Sequence, residues 1–265
     1  MKKIYAIPTY HCNLKCPHCE LHLKEDNFSE KFFEVLCSIE KGADITLFGG
    51  EPTLYRDRLE RCLKTEKIAS ISTNLLLLDE NLLSLYKEYG ISIATSWNPQ
   101  RFTDEQYLLW MSNLRKLEQN GLDCIILITL TEDLLAYQEF NEHLKEWDNI
   151  KSINGILFEP LLDYKMKTDL HSRADLWLCE LYDNWHFSMR NMIAEKVKKW
   201  NCDCSNVWTL NPTGELVRGC PQQEKKFILN ECLGCSLAGI CRPCHLQHIC
   251  SFPKKLYEKV ISNVR

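Results

Sequence analysis

Short apolar runs alternate with longer amphipathic stretches through the first 160 or so residues. Six runs read as strands: IYAIPTY (4–10), ITLFG (45–49), ASISTN (69–74), ISIAT (91–95), CIILITL (124–130) and GILFEPL (155–161). Each is nearly continuous in apolar residues, the pattern of parallel strands covered on both faces. Between them lie helical periodicities with start and stop signals. Ser29 is placed to cap a helix burying Phe32, Phe33, Leu36 and Ile39, and Asp79 one with Leu82, Leu83 and Tyr86. Thr103 opens a third carrying Leu108, Leu109, Leu114 and Leu117, with Gly121 to end it, and Asp133 a fourth through Leu134, Tyr137, Phe140 and Leu144.

Strand–helix alternation of this kind predicts an α/β fold with a parallel sheet. Six strands make a partial (β/α)6 TIM-like barrel, open on one side. Residues 163–200 change character, with several aromatics on one or two amphipathic helices, and read as a bridge packed on the barrel. From 201 to 265 the chain is rich in cysteine and poor in apolar residues, so this small domain requires covalent or metal staples to fold. The expected boundaries are 1–162, 163–200 and 201–265.

Composition narrows the function classes. The net charge of −4 gives no electrostatic reason for a nucleic-acid partner. No apolar run approaches the roughly 20 residues needed to span a bilayer. The opening MKKIYAIPTY lacks a cleavage site, which points to the cytoplasm. Eleven of the 15 cysteines crowd into residues 12–19 and 202–250, a clustering that suits metal or cluster ligation in a reducing compartment. The other four, Cys37, Cys62, Cys124 and Cys179, read as small buried hydrophobes.

Cys12, Cys16 and Cys19, in CNLKCPHC, are the sharpest signal. Three thiolates on one tight loop can hold three irons of a 4Fe–4S cube and leave the fourth without a protein ligand. Zinc remains an alternative on this string alone, with His11, His18 and His22 nearby. In parallel α/β folds ligands sit at the C-terminal ends of strands. The cysteine string follows the first strand and GGEP (49–52) the second, so both belong at one mouth.

These residues resemble the radical S-adenosylmethionine (radical SAM) enzymes. The three-then-two spacing of CNLKCPHC is similar to the family's cysteine motif, and LFGGEP to its glycine-glycine-glutamate motif. The resemblance implies a cluster on Cys12, Cys16 and Cys19 with S-adenosylmethionine at its open iron. Gly49, Gly50, Glu51 and Pro52 would then surround the cofactor's amino group, with the backbone at the glycines and the Glu51 side chain gripping it. His18 stands where the family places an aromatic residue against adenine. Ser72, Thr73 and Asn74 match polar groups that hold ribose and carboxylate, Ser96 matches a serine near the cofactor, and Leu161 falls at an adenine-contacting backbone position.

The C-terminal stretch WTLNPTGELVRGC (208–220) resembles the hairpin of the SPASM domain, the auxiliary-cluster module of radical SAM peptide-modifying enzymes. The resemblance implies one cluster on Cys202, Cys204, Cys220 and Cys244 and another on Cys232, Cys235, Cys241 and Cys250. Eight thiolates are the number two 4Fe–4S clusters need. Gly214 lies one residue further from Cys220 than usual, Cys241 and Cys244 one residue closer together, and the gap from Cys220 to Cys232 is short. One auxiliary cluster, two, or paired zinc knuckles all stay open on spacing.

The implied activity is reductive cleavage of S-adenosylmethionine to a 5′-deoxyadenosyl radical that takes a hydrogen atom from a substrate. Pro221, Gln222 and Gln223 follow Cys220 where sulfatase-maturing relatives carry an acid, which weakens an alcohol-oxidising role; Glu159 and Asp163, near the end of the sixth strand, are candidate acids or bases. The favoured substrate is a peptide or protein, the runner-up a sugar or cyclitol, and a non-catalytic zinc or iron–sulfur module is a third reading. The chain starts almost at its first strand, so a peptide substrate is expected to need a separate peptide-recognition protein or to bind directly in the open barrel. A flavodoxin or ferredoxin would donate electrons.

Overall fold

The computed structural model describes residues 2–19, 21–160, 168–184 and 207–218. Six parallel strands lie side by side in chain order: β1 (Lys3–Ala6), β2 (Asp44–Leu47), β3 (Ile68–Thr73), β4 (Ser92–Ser96), β5 (Cys124–Leu130) and β6 (Ile153–Pro160). Helices α1 (Lys31–Ser38), α2 (Arg56–Leu63), α3 (Glu80–Glu88), α4 (Asp104–Gln119), α5 (Glu132–Ala136) and α6 (Phe140–Asp148) connect them. Their inward residues and the strands form one core running from Ile4 and Phe32 to Trp147 and Ile156.

The sheet does not end at β1. Strand β7 (Val207–Leu210) pairs with it in parallel, Lys3 opposite Val207 and Ala6 opposite Leu210, and β8 (Leu216–Arg218) returns antiparallel to β7. The hairpin expected around Gly214 is present, and Gly214 turns it at φ +80°. A Cβ there would lie 2.7 Å from the Lys31 carbonyl carbon, so the turn is pressed on the start of α1. Residues 207–218 thus share one sheet with the barrel strands.

The caps at Asp79 and Thr103 form as expected. Asp79 Oδ1 accepts from Leu82 N at 2.9 Å, and Thr103 makes a capping box with Gln106. Gly121 follows α4 at φ +66°. Four expectations need correction. Helix α1 begins at Lys31, and Ser29 serves it from outside, its hydroxyl accepting from Lys31 N at 3.3 Å. The single helix expected from Asp133 is two, because Tyr137 is extended between α5 and α6; Thr131, not Asp133, caps the first. Helix α4 buries Trp110, Met111, Leu114 and Leu117, leaving Leu108 and Leu109 at 68% and 44% exposure off the inward stripe. Among the four scattered cysteines only Cys62 and Cys124 are buried, their thiols pushed up to about 12 by burial; Cys37 is exposed and Cys179 half-buried.

In helix α7 (Thr168–Asn184), Ala174, Leu178 and Leu181 are buried and Trp177 packs against Phe140 and Phe158. Trp97, the residue after β4, is packed by Phe140, His143 and Trp147. The ring of His143 is bonded at both nitrogens. Nδ1 lies 2.7 Å from the Tyr107 hydroxyl and Nε2 2.9 Å from the Tyr137 hydroxyl, and each hydroxyl also donates to a glutamate, Tyr107 to Glu146 at 2.9 Å and Tyr137 to Glu139 at 3.1 Å.

Two predictions follow from these buried polar groups. The Tyr86 hydroxyl is buried with no hydrogen-bond partner among the described residues. Tyr86→Phe should therefore hold or raise stability, by up to about 1 kcal/mol, in denaturant unfolding. Burial holds His143 below its ordinary value of 6.5. The unfolded chain takes up that proton first as pH falls, so stability should drop below about pH 6.5, and His143→Gln should flatten the melting-temperature profile there.

Candidate functional site

Strand β2 ends in Phe48-Gly49-Gly50-Glu51-Pro52, and both glycines face the backbone that leads into the cysteine loop. Gly49 has φ +129°, and a Cβ on it would lie 2.6 Å from the Thr9 carbonyl oxygen. On Gly50 it would fall 2.0 Å from the His11 carbonyl oxygen. The Gly50 amide donates to Thr9 O at 3.0 Å and the Glu51 amide to His11 O at 2.8 Å. Those two amides therefore serve the cysteine loop itself. No described residue donates to the Gly49 and Gly50 carbonyls.

Glu51 is 1% exposed. Its Oε1 accepts from Thr53 N (3.1 Å), Thr53 Oγ1 (2.6 Å) and Thr73 Oγ1 (2.7 Å), and Oε2 accepts from Asn74 N (2.7 Å). A desolvated carboxylate requires such donors. Here they come from the turns after β2 and β3, which it ties together. Thr53 and Pro52 are buried with it.

The turn after β3 is bent by that connection. Leu75 has φ +64°, a left-handed backbone rare for a bulky residue, and is held by Leu75 N to Thr73 Oγ1 (3.1 Å) and Asn113 Nδ2 to Leu75 O (2.8 Å). The Asn74 side chain then reaches the cysteine loop, donating to Asn13 Oδ1 at 2.6 Å with Cys12 Sγ at 4.0 Å. Ser72 and Ser96 are half-buried at the ends of neighbouring strands, and neither hydroxyl bonds a described residue.

Leu14 and Leu21 anchor the cysteine loop in the core. Cys16 is buried, Cys12 and Cys19 half-buried, with Cys19 N bonded to Cys16 O at 3.0 Å and Leu14 N 3.4 Å from Cys12 Sγ. Burial pushes the thiols of Cys12 and Cys16 up, and their neighbours add to it: Glu51 and Cys16 act on Cys12, and Cys19 on Cys16. The three sulfurs thus feel one another. No three His, Cys, Asp or Glu side chains among the described residues form a group able to hold a single metal ion. A 4Fe–4S cube spreads its ligands over separate irons, so this soft, part-buried donor set suits it.

His18 is half-buried and pushed down, first by burial and then by Arg101, so it is a neutral ring at pH 7. Arg101, in the loop after β4, had no motif to mark it. Its Nε is buried without a hydrogen-bond partner among the described residues, and its charge opposes the upward push on both Cys12 and Cys16. The signal available in sequence was only its place, five residues past Ser96. The candidate ligands Cys202, Cys204, Cys220, Cys232, Cys235, Cys241, Cys244 and Cys250 lie outside the described residues, as do Leu161 and Asp163. No helix among the described residues is long and apolar enough to cross a membrane.

Glu51→Gln places an amide NH2 where every neighbour is a donor. It should cost about 1–3 kcal/mol in denaturant unfolding. A variant as stable as the parent would show that the carboxylate is not the tie between the two turns.

No protein-family model matches the chain. Over 112 residues it is 32% identical to Fe-coproporphyrin III synthase of Methanosarcina barkeri, covering 37% of this chain and 28% of that protein. A protein of Archaeoglobus fulgidus is 29% identical over 116 residues, again 28% of its length. The chain thus spans less than a third of the length of these relatives. Among solved structures, anSMEcpe with bound AdoMet superposes with a TM-score of 0.74 at 15% identity, covering 99% of this chain and 96% of the other. Its complex with AdoMet and the Cp18Cys peptide gives 0.72 at 16%, covering 98% and 96%. Streptococcus suis SuiB bound to S-adenosylmethionine gives 0.62 at 17%, covering 92% and 73%. The α/β fold, a partial barrel of parallel strands, is the one seen in anSMEcpe and SuiB. By its fold the chain is similar to these S-adenosylmethionine-bound proteins, and it carries Cys12, Cys16 and Cys19 after β1 and GGEP after β2.

Proposed function

We propose that the protein reductively cleaves S-adenosylmethionine and uses the resulting radical to modify a peptide or protein. The observation that carries this reading is the close packing of the GGEP turn on the Thr9–His11 backbone that leads into the three cysteines, at the C-terminal edge of the sheet. Cys12, Cys16 and Cys19 would hold the cluster. With S-adenosylmethionine bound, such a cluster supplies the electron that breaks the sulfonium bond, giving methionine and a 5′-deoxyadenosyl radical that abstracts a substrate hydrogen. The chain's own groups do the holding. The carbonyls of Gly49 and Gly50 offer acceptors to a cationic amino group, and Ser72 and Ser96 offer hydroxyls. Glu51, with its oxygens taken up by Thr53, Thr73 and Asn74, keeps these groups in place. Arg101 supplies positive charge beside an anionic centre, and the His18 ring offers a flat neutral surface.

A peptide substrate is supported by the complexes of the structural neighbours, anSMEcpe with the Cp18Cys peptide and SuiB with its precursor peptide SuiA, over 98% and 92% of this chain. The SPASM-like cysteines, Cys202, Cys204, Cys220 and Cys244 with Cys232, Cys235, Cys241 and Cys250, would hold one or two auxiliary clusters. A flavodoxin- or ferredoxin-like donor and a separate peptide-recognition protein complete the proposed partners. A small-molecule substrate is the second reading. The identity to Fe-coproporphyrin III synthase supports a tetrapyrrole in that role, but over 37% of the chain only.

Anaerobic purification with iron and sulfide analysis, followed by dithionite and S-adenosylmethionine, tests the reading. The expected products are methionine and 5′-deoxyadenosine. Cys16→Ala should abolish them while leaving auxiliary iron in place. A colourless, zinc-loaded protein that never cleaves S-adenosylmethionine would overturn the enzyme reading. Product masses after incubation with candidate peptides or with iron coproporphyrin decide between the two substrate classes.

A further inference from the structure

The cysteine loop has two stems, Pro8–His11 leading in and Asp26–Phe28 leading out, and one buried ion pair holds both. Asp26 has a side chain 2% exposed. Its carboxylate accepts from Tyr10 N (2.9 Å), Thr9 Oγ1 (3.0 Å) and Arg58 Nη1 (3.1 Å), with His11 Nδ1 at 3.6 Å. Arg58, on α2, also donates to the Pro8 carbonyl at 3.0 Å. Its guanidinium carbon lies 3.8 Å from the Phe28 ring centroid and 4.3 Å from that of Tyr55. Tyr55 in turn bonds His11 Nδ1 through its hydroxyl at 2.6 Å. One guanidinium therefore touches the leading stem, the trailing stem and the ring that fixes His11.

His11 immediately precedes Cys12 and is held at its amide by Thr9 Oγ1 (3.0 Å), at its carbonyl by Glu51 N (2.8 Å) and at ring Nδ1 by Tyr55. Between the stems the loop's own described bonds are few, chiefly Cys19 N to Cys16 O and Lys24 N to Leu21 O, both short-range. The stems therefore act with the buried Leu14 and Leu21 and the Asn74–Asn13 bond to fix the course of the loop. A buried ion pair is weak as a source of stability, since its desolvation roughly cancels its attraction; what it supplies is direction. Groups that orient ligands contribute by removing the ordering that binding would otherwise require.

We propose that Asp26 and Arg58 are positioning residues for the iron–sulfur cluster, presetting both stems of the cysteine loop so that Cys12, Cys16 and Cys19 receive it without reorganisation. The inference rests on the radical SAM reading above. It concerns the protein before and during cluster assembly and is independent of the substrate.

The test uses the full chain as the parent, Arg58→Met, Arg58→Lys and the double variant Asp26→Asn/Arg58→Met. Each is reconstituted anaerobically. The signal of the reduced N-terminal cluster is identified by its change on adding S-adenosylmethionine and followed during chelation, beside the melting temperature of the apoprotein. Arg58→Met leaves a lone buried carboxylate and should lose both stability and cluster. The double variant removes that lone charge and should recover the melting temperature, yet lose the N-terminal cluster at least about tenfold faster than the parent. Arg58→Lys keeps the charge without the flat fork and should fall between. Cluster retention that returns with the melting temperature in the double variant would overturn the inference and leave the radical SAM reading standing. A parent chain that assembles no reducible cluster on Cys12, Cys16 and Cys19 would overturn both.

Discussion

The candidate site depends on a carboxylate that has been taken out of water. Once Glu51 is buried beneath the strand ends, its lone pairs must be filled, and the donors available are Thr53, Thr73 and the Asn74 amide. That requirement draws the turn after β3 toward the turn after β2. It also makes a left-handed Leu75 tolerable, because the strain is opposed by hydrogen bonds on both sides of the residue. The result reaches the cysteine loop through Asn74 and Asn13. Side-chain chemistry at one position thereby sets backbone conformation at another and orients a group facing the thiols.

The cysteine loop is gripped from two directions by acids of this kind. Glu51 lies on the sheet side, and Asp26, neutralised by Arg58, on the side of α2. Neither carboxylate is a ligand in this arrangement. The charge of Glu51 even works against thiolate formation at Cys12, pushing the thiol up where Arg101 pushes it down. The scaffold is therefore organised around mechanical definition of the loop. The charge of its thiolates is left to Arg101 and to whatever cation the cysteines bind.

Much of this was legible in the sequence, for physical reasons that vary with the element. Strands covered on both faces are unbroken apolar runs, so all six barrel strands could be seen. Helix α2 could not, because RDRLERCL buries only Leu59, Cys62 and Leu63 and shows a charged face for the rest. The break at Tyr137 was hidden because the apolar spacing continues across it. The GGEP turn announced its place beside the cysteines. The reason for its glycines, close passage of the Thr9–His11 backbone, required coordinates. Asp26, Arg58 and Arg101 belong to no motif and meet the loop only through the fold. The pairing of β7 with β1 joins residues some two hundred positions apart, which no local pattern encodes.

That last pairing bears on the order of assembly. Strand β1 leaves the ribosome some two hundred residues before β7, the neighbour it pairs with on one side. Until then β1 presents an open ladder edge, and the stem that carries Cys12 lacks the bond from Ile7 N to Leu210 O. Closing the sheet there requires a long loop to be drawn in late, a slow class of contact. The stem that leads into the N-terminal cysteines therefore waits on the C-terminal half of the chain for its last backbone bond.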